Sequence, residues 1–473
     1  MKYNIDNLPS QYAKAIRMIK VVADLYRYDV YIVGGFVRDL LMGKVSDDID
    51  FVVDKIEDDN PATSFANLLY KEGVGSNMAV YETFGTSKVE VNGLKVEFVM
   101  PRAEAYRIDN RKPSVIKTTL YEDAIRRDFT VNTLIMTLDG DILDLLGKGI
   151  DDINNKILRS ANSNIDQMFM DDSLRILRLY RQSITKGFKI EPFLLDGAVR
   201  YAHKLETISK ERIREELNKM IMGDNLDIML TKEFIETLKY ICPELYNETT
   251  NMETPPYHKI ESTWEHTVRV TSNCPKDNFI LRLAALFHDV GKPVVRTIEE
   301  NGNAHFYRHE LVGAKMAKDI MTKLTYSNDV IKKVTKLIEN HMRGMGYNKK
   351  WSDKAIRKFI IELNPLMEDN LLLAYADSKG SAYSQELENN SLNRLNEMKN
   401  RIKEIMKKPV HMKPIIDGDE LMRISGRGTG EWIGEAIRCQ MKILMKDPEI
   451  SVEELRKKLI MSIGEKNNDN SLG

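Results

Sequence analysis

The pattern of hydrophobic and polar positions divides the chain into two parts. Up to about residue 150, short runs rich in β-branched residues at 30–33, 49–53, 88–91 and 95–100 alternate with stretches of helical periodicity. From Ser163 onward the strand pattern fades, and apolar residues recur at helical spacing, as in Leu174, Leu177 and Leu179. The predicted fold class is α+β: a mixed α/β head followed by a remainder that is entirely α-helical.

Changes in composition mark boundaries within the helical part. A polar stretch with prolines spans 247–256, and Pro409 and Pro414 precede a last unit. From residue 465 the tail is polar and is expected to be disordered. We therefore expect four domains, a head, a helical neck, a third helical domain and a helical tail, at residues 1–150, 151–246, 247–385 and 386–473.

Composition narrows the class of protein. With 473 residues the chain is too long for one core, and its net charge of −1 means that any nucleic-acid surface must come from local clusters of Lys and Arg. Cys242, Cys274 and Cys439 lack metal-ligand spacing and are typical of reduced thiols. No apolar run is long enough for a membrane span, and the N-terminus lacks a signal-peptide pattern. A cytoplasmic protein of unknown oligomeric state is expected.

The most informative segment joins the first two predicted strands. The first strand ends at Gly34 and Gly35, a short helix follows, and the next strand is predicted to carry Asp48 and Asp50. Side chains two apart on a strand share a face, so the carboxylates should stand side by side, which a cation would stabilise. The glycines let a phosphate approach the helix N-terminus, with Arg38 one turn inside. Either pattern alone is common in ordinary turns and strand edges, but together they predict phosphoryl or nucleotidyl transfer.

A second cluster begins at Arg126 and continues through Arg127, Asp128 and Asn132. A guanidinium suits an anion, and a carboxylate and an amide suit sugar hydroxyls, so the cluster can bind a ribose and its phosphates. The alternative is an ordinary capped helix N-terminus. The position of the cluster downstream of the aspartate pair favours the nucleotide-binding interpretation.

A third cluster contains Asp172 followed by Arg175, Arg178 and Arg181. On one helix, Asp172 and Arg175 would share a face. The carboxylate would accept from the exocyclic amine of cytosine or adenine, and the guanidinium would donate to ring acceptors, whereas uracil and guanine present a carbonyl instead. The alternative is an ion pair on a solvated helix, which the arginine row at three-residue spacing makes less attractive.

In this order the three clusters resemble the nucleotidyltransferase head shared with DNA polymerase beta, and in detail the class II tRNA nucleotidyltransferases, or CCA-adding enzymes. The resemblance spans roughly residues 15–220 and includes 208–217, which is similar to the family's closing neck motif. It implies addition of CCA to tRNA 3′ ends from CTP and ATP. It implies Mg²⁺ at Asp48 and Asp50, and nucleotide binding by Gly34, Gly35, Arg38, Arg127, Asp128, Asn132, Asp172, Arg175, Arg178 and Arg181.

Some details of the resemblance leave alternatives open. Asp171 stands where the family pattern has Glu, and Glu97 is a candidate third carboxylate for the metal. The family also contains CC-adding, A-adding and poly(A)-adding relatives, and the resemblance implies that CC-adding forms have a shortened loop before the Arg-Arg-Asp motif. Here the segment 102–126 is long and contains the basic stretch 107–112, which favours CCA addition over CC addition.

Histidines concentrate in one ordered series with aspartates. Such a ligand set suits one or two divalent ions that hydrolyse phosphoesters, although a single buried histidine is usually structural. The series resembles the HD phosphohydrolase superfamily over about 250–385, which implies phosphodiesterase or phosphatase activity with Mn²⁺, Ni²⁺, Co²⁺ or Mg²⁺. His309 is the weakest assignment because His305 lies one turn away. The expected ligands are His266, His288, Asp289, His309, His341 and Asp377.

Two functions from different classes remain in view. One is a template-independent tRNA nucleotidyltransferase with an additional HD activity. The other is mainly a metal-dependent HD phosphohydrolase whose head binds RNA. The presence of both Asp48 and Asp50 beside the nucleotide motifs favours the first. The glycine-rich segment 418–434 resembles the tail of bacterial CCA-adding enzymes and suits either tRNA phosphates or a plain turn between helices.

Overall fold

The computed structural model describes residues 1–81, 85–105, 114–249, 262–300, 304–381 and 385–469. The chain divides into two compact units, Met1–Ile241 and Cys242–Gly473. A mixed sheet and a set of helices form the first unit, whereas the second is built mainly from helices.

The first unit alternates strands and helices before it becomes helical. Its helices are α1 (Ser10–Tyr26), α2 (Gly35–Leu41), α3 (Pro61–Lys71), α4 (Leu120–Ile125), α5 (Gly149–Asn155), α6 (Ile165–Asp171), α7 (Arg175–Lys186), α8 (Pro192–Tyr201), α9 (Lys210–Ile221) and α10 (Lys232–Ile241). Its strands are β1 (Asp29–Val33), β2 (Asp50–Asp54), β3 (Gly75–Tyr81), β4 (Thr86–Val91), β5 (Leu94–Val99), β6 (Arg102–Ala105), β7 (Ser114–Lys117), β8 (Ile135–Thr137), β9 (Ile142–Leu143), β10 (Ile157–Leu158) and β11 (Lys189–Ile190).

Seven of these strands form one mixed sheet in the order β3-β4-β5-β2-β1-β8-β9. β2 and β5 run parallel, and the other neighbours run antiparallel. Val33 at the end of β1 pairs with Asp50 at the start of β2, and Asp50 pairs with Glu97 on β5. This register brings the glycine turn and two carboxylates to the same edge of the sheet.

Aromatic packing holds the central strands against the helices. The ring of Phe51 on β2 lies 5.2 Å from that of Phe98 on β5, and Phe65 of α3 lies 5.4 Å from Phe98. All three side chains are fully buried. Each contributes about 2 kcal/mol through removal of apolar surface from water. The edge that carries the acids is therefore anchored to a rigid core.

The second unit is formed around packed helices. Its helices are α11 (Pro243–Tyr246), α12 (Thr263–Asn273), α13 (Phe279–Phe287), α14 (Lys292–Val295), α15 (His309–Lys323), α16 (Asn328–Met345), α17 (Asp353–Leu363), α18 (Met367–Ser381), α19 (Gln385–Met406), α20 (Gly418–Ser425), α21 (Trp432–Lys446) and α22 (Val452–Asp469). A two-stranded ribbon is formed by β12 (Thr297–Ile298) and β13 (Ala304–His305).

The later helices pack through two apolar clusters. In the first, Ile356 and Phe359 of α17 pack with Met398 and Ile402 of α19. In the second, residues of α20, α21 and α22 pack around the fully buried Leu421. Both clusters lie in the region predicted to be helical from periodicity alone.

The predicted fold class, a mixed α/β head followed by helices, is confirmed. The disordered tail expected from residue 465 is wrong as far as Asp469, because α22 continues to that residue. The last four residues, much of the predicted boundary at 247–256, and the basic stretch 107–112 lie outside the described residues.

Candidate functional site

The turn between β1 and α2 packs closely against the side chain of Arg127. Gly34 has φ +69°, and a Cβ at this position would lie 3.1 Å from Arg127 Nη1. Arg38, in the first turn of α2, is buried and donates through Nε to Asp39 Oδ1 at 2.9 Å and through Nη1 to Asn132 Oδ1 at 2.6 Å. Its guanidinium supports the turn and already has protein acceptors. A nucleotide phosphate would have to share it with them.

The acidic residues lie at the edge of the sheet, but not as the sequence predicted. β2 begins at Asp50, so Asp48 lies in the irregular segment before the strand and the alternation of strand faces does not apply to it. Asp50 is exposed, yet surrounding protein atoms displace enough water to raise its pKa, and the Glu97 and Asp48 charges add to this effect, so that the pKa is raised to about 6. Glu97 pairs with Lys88 at 3.1 Å. The acids thus repel one another in the absence of a cation.

A buried aspartate that the sequence analysis missed orients both arginines of the second cluster. Asp123 accepts from Arg126 Nη2 at 2.6 Å and from Arg127 Nη2 at 3.1 Å. Its Oδ1 also accepts from the backbone N–H of Arg102, at the start of β6. Burial raises the pKa of Asp123, but Arg127 and Arg126 outweigh that effect and lower it. No spacing in the sequence distinguishes this residue from other polar positions of α4.

Asp128 and Asn132 are already engaged with each other and with an arginine. Asp128 accepts from Asn132 Nδ2 at 2.8 Å and pairs with Arg178 Nη2 at 2.6 Å. Although burial raises the pKa of Asp128, the Arg178 charge and the Asn132 hydrogen bond hold it below its usual value. The predicted ribose-binding carboxylate is therefore a buried link between the head and α7.

Asp172 differs most from its predicted placement. The expectation that it shares a helix face with Arg175 is wrong, because the chain is extended at Asp172, between α6 and α7, with φ −147° and ψ 99°. Its Oδ1 accepts from the backbone N–H of Leu174 at 3.1 Å, a local bond that competes with helix formation. Its Oδ2 accepts from Arg212 Nη2 of α9 at 2.9 Å. Arg212 lies in the segment 208–217 but belongs to none of the three sequence clusters.

The three arginines of α7 each have their own acceptor instead of forming one free row. Arg175 donates to the backbone carbonyls of Met168 at 3.1 Å and Arg126 at 2.6 Å. Arg181 donates to Glu216 Oε2 at 2.5 Å, and Glu216 lies one turn after Arg212 on α9. The same face of α9 therefore contacts both ends of the third cluster, at Asp172 and at Arg181.

These groups line one cleft of about 690 Å³ in the first unit. Gln182, fully buried, also lines it and accepts from Arg38 at 3.2 Å. Of the nucleotide-binding residues predicted from the sequence, the cleft contains Gly34, Gly35, Arg38, Arg127, Asp128, Asn132, Asp172, Arg175, Arg178 and Arg181, together with Asp50.

A second candidate site lies in the second unit, and all six predicted metal ligands converge on it. Their donor atoms form two buried groups, each lying within 4.8 Å: His266, His288 and Asp377, and Asp289, His309 and His341. We call these six residues the HD centre. His305 instead pairs with Glu299 at 3.0 Å, so the geometry favours His309.

Hydrogen bonds to the backbone orient the histidines of the HD centre. Nδ1 of His288, His309 and His341 lies 2.7 to 2.9 Å from the carbonyls of Ala285, Phe306 and Ile338. Since a carbonyl only accepts, Nδ1 carries a proton and Nε2 faces inward. The Nε2 atoms of His309 and His341 are 3.1 Å apart. Such an arrangement fits one or more divalent cations.

Charges within the HD centre point to the same conclusion. Asp289 lies between the two groups, with Oδ2 3.2 Å from His288 Nε2 and Oδ1 3.4 Å from His309 Nε2. Burial lowers the pKa of His288, but Asp289 outweighs it and raises that pKa to about 9. A proton therefore compensates the carboxylates where a cation would otherwise do so, and metal binding should release it.

Two further charged groups near the HD centre were missed. Lys292 Nζ lies 2.5 Å from Asp289 Oδ2. Glu248 is fully buried and accepts from Thr267 Oγ1 at 2.7 Å, and burial, with the Asp289 charge, raises its pKa to about 8. Lys292 could have been found from its place three residues after Asp289. Glu248 has no comparable signal.

Comparison with known proteins matches three domain families. The poly(A) polymerase head domain matches residues 30–159, the HD domain matches 259–377, and a probable RNA- and SrmB-binding site of poly(A) polymerase matches 187–246. The head and HD families generally use divalent metals. No helix among the described residues is long and apolar enough to cross a membrane.

Curated relatives align along most or part of the chain. A CC-adding tRNA nucleotidyltransferase of Thermus thermophilus is 26% identical over 440 residues, 90% of this chain and 92% of that protein. An A-adding tRNA nucleotidyltransferase of Deinococcus radiodurans is 28% identical over 422 residues, covering 86% and 89%. A CCA-adding enzyme of Streptococcus uberis is 32% identical over 248 residues, covering 52% and 58%.

Solved structures share the fold at low sequence identity. A Bacillus stearothermophilus CCA-adding enzyme in complex with CTP has a TM-score of 0.68 and 18% identity, covering 98% of this chain and 100% of that chain. A Thermotoga maritima CCA-adding enzyme complexed with tRNA has a TM-score of 0.55 and 19% identity, covering 97% of each. The similarity extends over the head and the helical regions alike.

Proposed function

The chain belongs to the class II tRNA nucleotidyltransferases with an HD domain, and we propose that it adds CCA to tRNA 3′ ends from CTP and ATP without a template. One observation carries the proposal: a single cleft is lined by Asp50, Gly34 and Asp172, to which the proposal assigns the metal, the phosphates and the base. The relative named for this activity and the similar structures of CCA-adding enzymes with CTP and with tRNA support it.

In this proposal the acids at the edge of the sheet hold Mg²⁺. Asp48 and Asp50 are the ligands, and Glu97 is the third carboxylate, since it is the register partner of Asp50. The raised pKa of Asp50 supports this assignment, because burial and then the Glu97 and Asp48 charges disfavour its carboxylate, and a bound cation would offset both effects. A bound Mg²⁺ would stabilise the negative charge that develops on the triphosphate. Gly34 and Gly35 bring their backbone close to the phosphates.

The base is read in the part of the cleft next to α7. Asp172 accepts from the exocyclic amine of cytosine or adenine, and Arg175 donates to the neighbouring ring acceptor. Arg178 and Arg181 contact the nucleotide while anchored to Asp128 and Glu216. Arg38, Arg127 and Asn132 complete the phosphate and ribose contacts.

We further propose that the HD centre hydrolyses phosphoesters with Mn²⁺, Ni²⁺, Co²⁺ or Mg²⁺. The inward-facing Nε2 atoms and the position of Asp289 between the two ligand groups support this proposal, because the six residues would hold a divalent cation that activates water for attack on the ester. A tRNA substrate and three free cysteines favour a cytoplasmic location.

The second candidate function is addition of CC alone or of A alone, and a specific observation favours it. Of the three relatives described above, the two that align along at least 86% of this chain are named for CC addition and for A addition, whereas the one from Streptococcus uberis, named as CCA-adding, aligns along 52%. The long segment between β6 and α4 favours full CCA addition. Its central residues lie outside the described ones.

One assay separates these functions. Purified protein is incubated with tRNAs ending before, within and after CCA, with each NTP supplied separately. CCA addition predicts CTP incorporation on the first substrate and ATP incorporation on tRNA ending in CC. Incorporation of CTP alone would identify a CC-adding enzyme, and incorporation of ATP on the CC-ending tRNA alone would identify an A-adding one. Absence of any addition would refute the proposal.

A further inference from the structure

A tyrosine of the first helix links the two catalytic elements of the head. The Tyr12 ring stacks on Phe36 of α2, with centroids 5.9 Å apart and an interplanar angle of 26°. Its hydroxyl donates to the backbone carbonyl of Asp47 at 3.3 Å. Tyr12 therefore contacts the helix that follows the glycine turn and the segment that carries Asp48. Tyr12 precedes the matched head domain, which begins at residue 30, and it lies outside the three sequence clusters.

The segment from 45 to 49 has little other support. It is irregular, because β2 begins only at Asp50, and most of its residues are solvent-exposed. Among the described residues, and outside the bonding within helices and strands, the hydrogen bond from the Tyr12 hydroxyl to Asp47 is the one that reaches this segment. Buried Ile49 anchors its C-terminal end. The position of Asp48 thus depends on an apolar anchor on one side and on the Tyr12 hydroxyl on the other.

The electrostatics of Tyr12 agree with this position. Burial raises the pKa of its phenol, and the Asp47 and Asp48 carboxylates raise it further. The hydroxyl therefore stays protonated at neutral pH and remains a donor.

We infer that Tyr12 is a positioning residue, which fixes the Asp47 carbonyl and thereby holds the Asp48 carboxylate beside Asp50 for a divalent cation. The inference rests on the proposed function in that Asp48 binds the cation. A metal ligand on an irregular segment samples more conformations than one on a strand, and ordering it in advance strengthens binding. Tyr12 supplies that order from outside the cleft.

Tyr12→Phe tests the inference because it removes one oxygen and keeps the stacked ring. Tyr26→Phe is the matched control: Tyr26 ends the same helix, and its hydroxyl bonds Glu72 at 2.5 Å, away from the acids. Mn²⁺ binding is titrated by EPR, and the part lost in Asp48→Asn defines the head site. Single-nucleotide addition is then measured across a Mg²⁺ series.

We expect Tyr12→Phe to weaken Mn²⁺ binding at the head on the order of tenfold and to shift the Mg²⁺ dependence of addition by a similar factor. Saturating Mg²⁺ should restore the rate, with the KM for CTP unchanged, whereas a general loss of stability would lower the rate at every Mg²⁺ concentration. Unchanged Mn²⁺ binding in Tyr12→Phe would overturn the inference. If the wild type adds no nucleotide but Asp48→Asn and Tyr12→Phe both weaken Mn²⁺ binding, the proposed function fails and this inference stands.

Discussion

The nucleotide cleft and the HD centre both contain acidic and basic side chains, but these side chains are paired differently in the two sites. In the cleft, opposite charges satisfy each other, as in Asp172 with Arg212 at 2.9 Å and Arg181 with Glu216 at 2.5 Å. In the HD centre, imidazole nitrogens and carboxylate oxygens face one another at 3.1 to 3.4 Å. Acceptors arranged in that way repel unless a proton or a cation lies between them.

The difference separates two ways of preparing a site. The HD centre is preorganised for a cation, which needs only to displace protons. The cleft is preorganised in shape, but a nucleotide must share or replace protein partners that already satisfy the charged groups. Affinity in the cleft is therefore a difference between two sets of hydrogen bonds, and small changes in the protein partners should alter which base is accepted.

The largest expected effect concerns the acidic residues at the edge of the sheet. Asp50→Asn removes a proposed metal ligand with little change in volume, so nucleotide addition should fall about 10³-fold, equivalent to roughly 4 kcal/mol in the barrier. CTP incorporation on tRNA lacking CCA measures it. Asp58→Asn is the control, since Asp58 is another aspartate of the head that bonds Tyr28. Activity close to wild type in excess Mg²⁺ would place the metal site elsewhere.

The same variant should have the opposite effect on folding. The pKa of Asp50 is raised to about 6 in the folded protein, so its carboxylate destabilises the fold above the unfolded-state value near 4, and increasingly so up to about pH 6. In EDTA at pH 7, Asp50→Asn should therefore be more stable than the wild type. The gain in free energy of unfolding should be only about 1 kcal/mol, because water screens this exposed group. Thermal melts from pH 4 to 7 should show the gain disappearing toward pH 4.

The second prediction concerns the HD centre. The double variant His288→Ala, Asp289→Ala removes ligands from both buried groups, so hydrolysis of 2′,3′-cyclic phosphate or a similar ester should fall about 10²-fold or more. Addition of CCA should remain, because the acids of the head lie in the other compact unit. Assays with Mn²⁺, Ni²⁺, Co²⁺ and Mg²⁺ test both activities.

Its control is His305→Ala, which removes a neighbouring histidine that pairs with Glu299 instead. Loss of nucleotide addition in the double variant would mean that the two activities are coupled. If the wild type hydrolyses none of these esters with any of the metals, the HD centre has a structural role.

The comparison also explains how much the sequence could reveal. The six residues of the HD centre could be selected because four of the eight histidines form one ordered series with two aspartates, which resembles the HD superfamily, and the fold brings all six together. The order of strands, glycine turn and acids was likewise readable, since a strand and a tight turn are local features. Both regions rest on residue types whose chemistry is distinctive wherever they occur.

Partners across the cleft could not be read in the same way. Helical periodicity continues through Asp172, but the backbone is extended there, between α6 and α7, and the side chain bonds the Leu174 N–H. Arg212 and Asp123 are ordinary polar residues until packing brings one to Asp172 and the other between two arginines. Such pairings depend on tertiary contacts, which one sequence does not encode as a local pattern.

The third prediction tests the base-reading role of the cleft. Asp172→Ala removes the acceptor for the exocyclic amine, so discrimination of CTP against UTP should fall about tenfold to a hundredfold, corresponding to 1–3 kcal/mol. Triphosphate binding should change less, because Gly34, Gly35 and Arg127 remain. Incorporation of all four NTPs on the same tRNA measures the effect. Unchanged rejection of UTP would refute the assignment of Asp172.

The smallest expected effect isolates the protein partner of that acid. Arg212→Gln keeps a donor near Asp172 but removes the charge, so the carboxylate is held less firmly and discrimination against UTP should fall about threefold to tenfold, less than in Asp172→Ala. Arg200→Gln is the matched control, because Arg200 pairs with Asp166 at 2.6 Å on an exposed surface. In the double variant with Asp172→Ala, the Arg212 change should add nothing, since the two residues act as one unit. An additive loss would show that Arg212 contacts the nucleotide directly. It would then be wrong that Arg212 acts only as the protein partner that a nucleotide must share or replace.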